Sequence, residues 1–180
     1  MSTFAVFLRG INVGGININM AALAQALSEL HVSKVKTLLA SGNVVLSTEL
    51  SAEELKNSVE TQLRSEFGYD AWVIVVSAAA LAEIVAKCPY PADNKTTHSY
   101  ITLASNAEVL DELAEACQSV AAADYQRLSA EALAWLAPAG GTLESPISKL
   151  TAKARYKSST TTRNLRTLIK VLDATARAQS

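Results

Sequence analysis

The order of strand-type and helix-type patterns over residues 3–76 constrains the fold of this chain more than any other feature. An apolar strand, an amphipathic helix, two β-rich runs joined by a tight turn, a second amphipathic helix and a last strand follow one another. Because crossovers are right-handed, this βαββαβ order predicts a four-stranded antiparallel sheet with both helices on one face. The chain is therefore predicted to be α+β and to open with a ferredoxin-like unit.

Single residues indicate where the elements of this unit begin and end. Residues 4–9 are apolar enough for a strand buried on both faces. Asn19 is expected to cap the first helix, while Ser51 with Glu54 forms a capping box and Gly68 ends the second helix. The remaining strands of the unit are predicted at residues 35–39, 44–47 and 72–76.

Residues 77–180 predict a second, smaller α/β subdomain that ends in basic helices, either separate from 1–76 or packed with it as one body. A strand is expected at 98–103 and a hairpin at 125–128 and 133–136, and no internal repeat is evident. The residues expected to cap helices are Ser77, Asn106, Ser145 and Thr162.

Composition narrows the class of protein. A chain that is 49% hydrophobic and 18% charged can build a core, yet its apolar runs are too interrupted to span a membrane. The amino end does not resemble a signal peptide, so we expect a cytoplasmic protein. Cys88 and Cys117 are expected to lie on helices as buried, inert thiols without a disulfide.

The net charge of −1 conceals an uneven distribution. Residues 149–180 hold eight bases and one acid, a net charge of +7, whereas residues 1–148 hold eight bases and 16 acids, a net charge of −8. Such a tail either binds an anion or nucleic acid, or docks on the acidic remainder of the protein. Docking or simple solvation is the favoured interpretation.

The segment Arg9-Gly10-Ile11-Asn12-Val13-Gly14-Gly15 joins the first strand to the first helix. Glycines there permit positive φ and let backbone N–H groups approach an anion. No lysine–serine pair follows, so the segment is not a P-loop, and its spacing does not fit the dinucleotide fingerprint. A tight strand-to-helix turn is the alternative to a binding role.

The predicted topology places a second glycine turn, Ser41-Gly42-Asn43, near the first. In a βαββαβ sheet the first strand ends at the edge where the third strand begins, so the two glycine segments are expected to converge there. We call residues 10–15 together with residues 41–43 the glycine rim. Arg9, Asn12, Ser41 and Asn43 are expected to supply its polar groups.

A third segment, Thr161 to Thr167, is expected at the start of the last helix, where an arginine and hydroxyls suit a phosphate or carboxylate. The favoured alternative is structural: Thr162 caps the helix, Arg163 packs on an acid and Asn164 bonds a loop carbonyl.

Other chemistry has little support in the sequence. His31 and His98 have no partner at ligand spacing, so no metal is expected, and no cofactor is indicated. No Gly-x-Ser-x-Gly elbow is present, and whether the protein is an enzyme stays open. The third strand, residues 44–46, carries no aromatic side chain, which disfavours RNA binding on the sheet.

Taken together, three motifs resemble the bacterial family called domain of unknown function 1697. They are the segment 7–15, Ser41-Gly42-Asn43-Val44-Val45, and Thr162-Arg163-Asn164 with Thr167. The resemblance implies an α+β fold built on ferredoxin-like units, no established cofactor and no assigned reaction.

The leading hypothesis from the sequence is a small anionic ligand, phosphate- or nucleotide-like, held between the glycine rim and the Arg163 region. The alternative is a nucleic-acid or protein-interaction module that uses the basic final helices without catalysis. The residues expected to bind the ligand are Arg9, Gly10, Asn12, Gly14, Gly15, Ser41, Gly42, Asn43, Arg163, Asn164 and Thr167.

Overall fold

A computed structural model of the chain describes residues 1–12, 15–120 and 123–179, and its fold is α+β as predicted. The strands are β1 (Ser2–Arg9), β2 (Ser33–Leu38), β3 (Asn43–Thr48), β4 (Trp72–Ser77), β5 (Thr97–Ala104), β6 (Tyr125–Arg127), β7 (Ala132–Pro138) and β8 (Thr160–Asn164). The helices are α1 (Met20–Ser28), α2 (Ala52–Phe67), α3 (Ala78–Lys87), α4 (Ala107–Gln118), α5 (Pro146–Thr151) and α6 (Leu165–Gln179), with a short 3₁₀ helix at Ala154–Tyr156.

The first sheet has the predicted antiparallel arrangement, in the order β2-β3-β1-β4. Both α1 and α2 pack on one face of it, because Leu27 of α1 and Val59 of α2 share a buried cluster with Val6 and Val44 of the sheet. Side chains that alternate with these, such as Phe7, are also buried, so β1 is covered on both faces as its apolar run predicted.

The predicted helix ends of this unit are confirmed. The Asn19 side chain accepts hydrogen bonds from the first turn of α1, and Ser51 and Glu54 form both bonds of the capping box of α2. Gly68 takes the left-handed conformation at φ 65° and its N–H donates to the carbonyl of Arg64. Local side chains therefore define both helices.

The second sheet has the order β6-β7-β5-β8, again with antiparallel neighbours. Along the chain β5, α4, β6, β7, α5 and β8 follow the same sequence of elements as β1, α1, β2, β3, α2 and β4. The same βαββαβ topology thus occurs twice in the structure, although no repeat is evident in the sequence. The predicted β6–β7 hairpin is confirmed.

The chain divides into two compact units that do not coincide with the predicted division after residue 76. The first unit comprises Met1–Leu81 with Lys170–Ser180, and the second comprises Ala82–Ile169. The carboxyl-terminal part of α6 belongs to the first unit, where the Lys34 ammonium donates to the carbonyl of Ala178. Local sequence patterns do not predict that the carboxyl-terminal segment of the chain packs with its amino-terminal part.

The expected start of the last helix at Thr162 is wrong. Thr162 lies inside β8, opposite Thr102 of β5, and the two hydroxyls are hydrogen bonded at 2.8 Å. Helix α6 begins only at Leu165, and the Asn164 side chain accepts the N–H of Arg166 at 2.9 Å. Three consecutive threonines favour a strand because β-branched side chains fit a pleated sheet.

None of the helices within the described ranges combines the length and the hydropathy that crossing a bilayer requires.

Candidate functional site

The two turns of the glycine rim lie together in the first unit. The Leu8 N–H at the end of β1 donates to the carbonyl of Gly42 at 2.8 Å, and the Asn12 amide donates to the carbonyl of Ala40. The convergence predicted from chain connectivity is therefore confirmed.

Asn12 holds the β1–α1 connection in shape. Its backbone is left-handed at φ 55°, a conformation that asparagine tolerates better than most residues. Its Oδ1 accepts the Ile18 N–H at 3.0 Å, while its Nδ2 donates to Ala40 and makes a longer contact of 3.5 Å to the Ile18 carbonyl. The side chain thus ties the far end of the connection to the β2–β3 turn, which is a positioning role.

Gly42 is required where the two turns touch. Its φ is 75°, and a Cβ there would lie 2.5 Å from Ile11 Cδ1 and 2.9 Å from Leu8 Cβ. No side chain larger than hydrogen fits at that distance without moving the core. The glycine lets the β1–α1 connection pack directly on the hairpin.

Asn43 and Ser41 stabilise the hairpin from within. Asn43 is fully buried, and its amide donates to the Leu38 carbonyl at 2.9 Å and to the Ser41 hydroxyl at 3.0 Å. A buried amide with these bonds fixes the turn geometry. Both residues position the rim, whatever they bind.

Gly10 and Gly15 differ from Gly42 in their surroundings. Their φ angles are 78° and 93°, and a Cβ at either position would meet no described atom within 4 Å. They are needed for backbone conformation rather than for space. The predicted site residue Gly14 lies outside the described residues.

Arg9 closes β1 at this edge, and Trp72 opens β4 beside it. The two residues are direct partners in the antiparallel register, and both side chains are half-buried. Burial lowers the pKa of the Arg9 guanidinium from its ordinary value, yet arginine keeps its charge at any ordinary pH. The predicted topology also places the start of β4 at the edge where β1 ends.

The third predicted segment lies in the second unit, and its first residues belong to β8 rather than to a helix. Arg163 is buried in β8, where its guanidinium donates to the Thr161 hydroxyl at 2.8 Å and the Thr162 carbonyl at 3.0 Å. Asn164 caps α6 and Thr167 lies half-buried in the first turn of that helix. The predicted ligand residues are therefore divided between two compact units.

Several bases of the tail have acidic partners in the second unit. Among the described residues, ion pairs between exposed side chains join bases of residues 149–180 to acids of the second unit. Exposed pairs of this kind contribute little to stability, but they offset the positive charge of the tail. The pairs are Lys149 with Glu144, Arg155 with Glu112, and Arg166 with Asp93.

Both cysteines are free, and neither has the environment of a reactive thiolate. Cys117 is buried in α4, and burial raises its pKa to about 11. Cys88 is half-buried just after α3 ends at Lys87, rather than on the helix as predicted, and burial raises its pKa too.

Across residues 1–12, 15–120 and 123–179, no three His, Cys, Asp or Glu side chains lie close enough together to hold a metal ion.

Comparison with known proteins extends these observations. A family model described as "Protein of unknown function (DUF1697)" matches residues 1–132. The solved structure of the conserved bacterial protein SP0830 from Streptococcus pneumoniae is similar at a TM-score of 0.80 and 21% identity, covering 97% of this chain and 98% of that chain. At this identity the likeness establishes the fold alone. No curated protein matches the sequence.

Proposed function

Because the chain belongs to the DUF1697 family, whose description assigns no activity, we propose from its own geometry that it binds a small anionic ligand at the glycine rim. The ligand is phosphate- or nucleotide-like, and Arg9 supplies the positive charge that it meets.

The observation that carries this proposal is the length of the β1–α1 connection. Ten residues, 10–19, join β1 to α1, whereas only Ser105 and Asn106 join β5 to α4 at the same place in the same topology. Two residues therefore suffice to make this connection. Loops beyond what a connection needs commonly carry function, which supports a role for the glycine rim besides chain reversal.

Backbone conformation supports the same location. Eight described residues have positive φ, and five of them lie in the β1–α1 connection and the β2–β3 turn. Positive φ is uncommon in residues other than glycine, such as Asn12 and Leu39, and such conformations cluster at ligand-binding sites because the surrounding structure must hold them in place. Those five residues are Gly10, Asn12, Gly15, Leu39 and Gly42.

Charge and burial supply the chemistry. A half-buried guanidinium interacts with an anion more strongly than an exposed one, because less water screens the pair. Its planar fork of donors matches a phosphate or carboxylate in two bonds at once. Arg9 thus favours an anion over a neutral ligand.

The proposal is tested by titrating the protein with inorganic phosphate and with adenosine 5′-monophosphate, using calorimetry and thermal shift. The Arg9→Gln variant is expected to bind at least about tenfold more weakly, the loss typical of one charge-assisted contact. Lys95→Gln removes the same charge from an exposed position and should leave the affinity unchanged. If wild-type protein binds neither anion at concentrations on the order of 10 mM, the proposal is wrong.

A nucleic-acid module that uses the basic tail predicts a different result. It would retain DNA or RNA in a mobility-shift assay at low salt, lose it steeply as salt rises, and be insensitive to Arg9→Gln. The three ion pairs of the tail weigh against this alternative.

A further inference from the structure

One cavity lies wholly within the second unit, between the residues that precede β6 and the connection from β7 to α5. Its volume is about 320 Å³, which is within the range of small-molecule sites. Leu136 and Pro138 of β7 line it, together with Pro146 and Ile147 at the start of α5. Ile147 is 2% exposed and belongs to the buried cluster of this unit, so the apolar side of the cavity is continuous with the core.

Among the described residues that line this cavity, the charged side chains are two acids, and they differ in their partners. Glu144 pairs with the ammonium of Lys149 at 2.8 Å, so its charge is offset. Asp124 accepts a hydrogen bond from the hydroxyl of Tyr90 at 2.6 Å, and no base of the described residues forms an ion pair with it. The hydrogen bond orients the Asp124 carboxylate but leaves its negative charge without a counter-charge.

The connection from β7 to α5 is longer than the fold requires. Seven residues, 139–145, make it, whereas three residues, 49–51, join β3 to α2 at the same place in the same topology. Gly141, Glu144 and Ser145 of this connection line the cavity. Extra length in a connection commonly serves binding, and here it borders an apolar cavity that also holds a carboxylate.

We propose that this cavity binds a small organic cation, namely a protonated amine that carries an apolar group. The apolar group packs on Leu136, Pro138 and Ile147, and the ammonium pairs with the Asp124 carboxylate. An anion would be repelled by the acids, and a neutral molecule would leave Asp124 without a counter-charge. The site is independent of the glycine rim, whose residues belong to the first unit.

Three probes of similar size separate the contributions of charge and apolar contact: phenethylamine, phenethyl alcohol and phenylacetate. Amide chemical shifts of the full chain are recorded at neutral pH by nuclear magnetic resonance as each probe is added. Phenethylamine is expected to shift the amides of Asp124, Gly141 and Ile147, and to bind about fivefold more tightly than phenethyl alcohol, the gain typical of an exposed ion pair. Phenylacetate should bind most weakly because the acids repel it.

Three variants assign the binding to this cavity. Asp124→Asn removes the charge but keeps an oxygen that accepts the Tyr90 hydroxyl, so the affinity for phenethylamine should fall about fivefold, to that of phenethyl alcohol. Glu108→Gln is the matched control, because it removes an exposed charge from the first turn of α4, outside the cavity lining, and should leave both affinities unchanged. Gly141→Phe should weaken all three probes, because a Cβ there meets Pro138 at an ordinary 3.6 Å and the ring competes for the cavity.

Loss of the preference for phenethylamine in Asp124→Asn, with the preference kept in Glu108→Gln, supports the proposal. Equal affinity of the wild type for phenethylamine and phenethyl alcohol, or binding that neither Asp124→Asn nor Gly141→Phe changes, overturns it. Absence of any shift at phenethylamine concentrations on the order of 10 mM overturns it too. Each of these failures leaves anion binding at the glycine rim untouched, because that site is measured with other probes and with Arg9→Gln.

Discussion

The two sheets share one strand order, but the loops at the edge where β1 meets β3 and at the edge where β5 meets β7 are held together by different kinds of contact. In the second unit, backbone groups close the edge: the N–H of Ala104 donates to Glu131 and the N–H of Ser105 donates to Ser159, both at 2.8 Å. In the first unit, the Asn12 side chain donates a hydrogen bond across the two turns, and the lack of a side chain at Gly42 lets them pack together. Contacts made through side chains constrain residue identity, whereas contacts between backbone groups do not.

The comparison predicts that Gly42→Ala is the most damaging single change at the rim. Its methyl group would collide with Ile11 and Leu8 in addition to straining the left-handed backbone, so we expect a loss of about 3 kcal/mol in the free energy of unfolding. Gly68→Ala is the matched control, because φ is similar but no atom of the described residues lies within 4 Å of the added Cβ, and it should lose about 1 kcal/mol. Urea denaturation measures both, and equal losses would disprove the steric argument.

Asn12→Ala should have the next largest effect. It removes the bonds to Ala40 and Ile18 and leaves alanine at positive φ, for an expected loss of about 2 kcal/mol. Asn19→Ala, in the same connection, removes only a helix cap and should lose about 1 kcal/mol. A smaller loss for Asn12→Ala than for Asn19→Ala would show that the side chain does not hold the two turns together.

A pair of tyrosines extends the comparison to the cores of the two units. The Tyr69 hydroxyl is buried and has no hydrogen-bond partner among the described residues, whereas the buried Tyr156 hydroxyl donates to Glu112 at 3.4 Å. Tyr156→Phe should therefore lose about 1 kcal/mol and Tyr69→Phe should gain up to about 1 kcal/mol, measured by urea denaturation. A loss in Tyr69→Phe would mean that its hydroxyl has a partner, such as an ordered water.

Tyr69 should also make the stability of the fold depend on pH. Burial raises its pKa to about 12, above its value in the unfolded chain near 10. The folded state then holds this proton more tightly, so the associated stability is complete below pH 10 and is lost as the pH rises toward 12. In Tyr69→Phe the unfolding midpoint should fall less between pH 10 and 12 than in the wild type.

Ser105→Ala should have the smallest effect. Ser105 closes the second edge through its backbone N–H, which alanine retains, so the free energy of unfolding should change by less than about 0.5 kcal/mol. A loss as large as that of Asn12→Ala would mean that both edges depend on side chains, and the contrast between the units would fail.

Sequence reasoning was accurate where the determinants are local. Asn19, the Ser51–Glu54 box and Gly68 each act within one turn of the helix that they end, so their type and spacing suffice. The convergence of the two glycine turns also followed from the sequence, because strand order and direction leave one edge for both.

Sequence reasoning failed where partners are distant along the chain. Thr162 has the residue type of a helix cap, and only pairing with Thr102, 60 residues away, makes it part of a strand. That pairing also moves Arg163 from a helix terminus to a buried strand position.

The amino-acid sequence by itself determined the α+β class, the ends of α1 and α2, and the convergence of the two glycine turns, since each follows from local patterns or from the order of strands along the chain. Only the tertiary structure decided that one topology occurs twice, that α6 spans both units, and that Trp72 stands opposite Arg9. These features arise from strand pairing and packing between distant segments, whose free energy depends on the whole fold rather than on any local pattern.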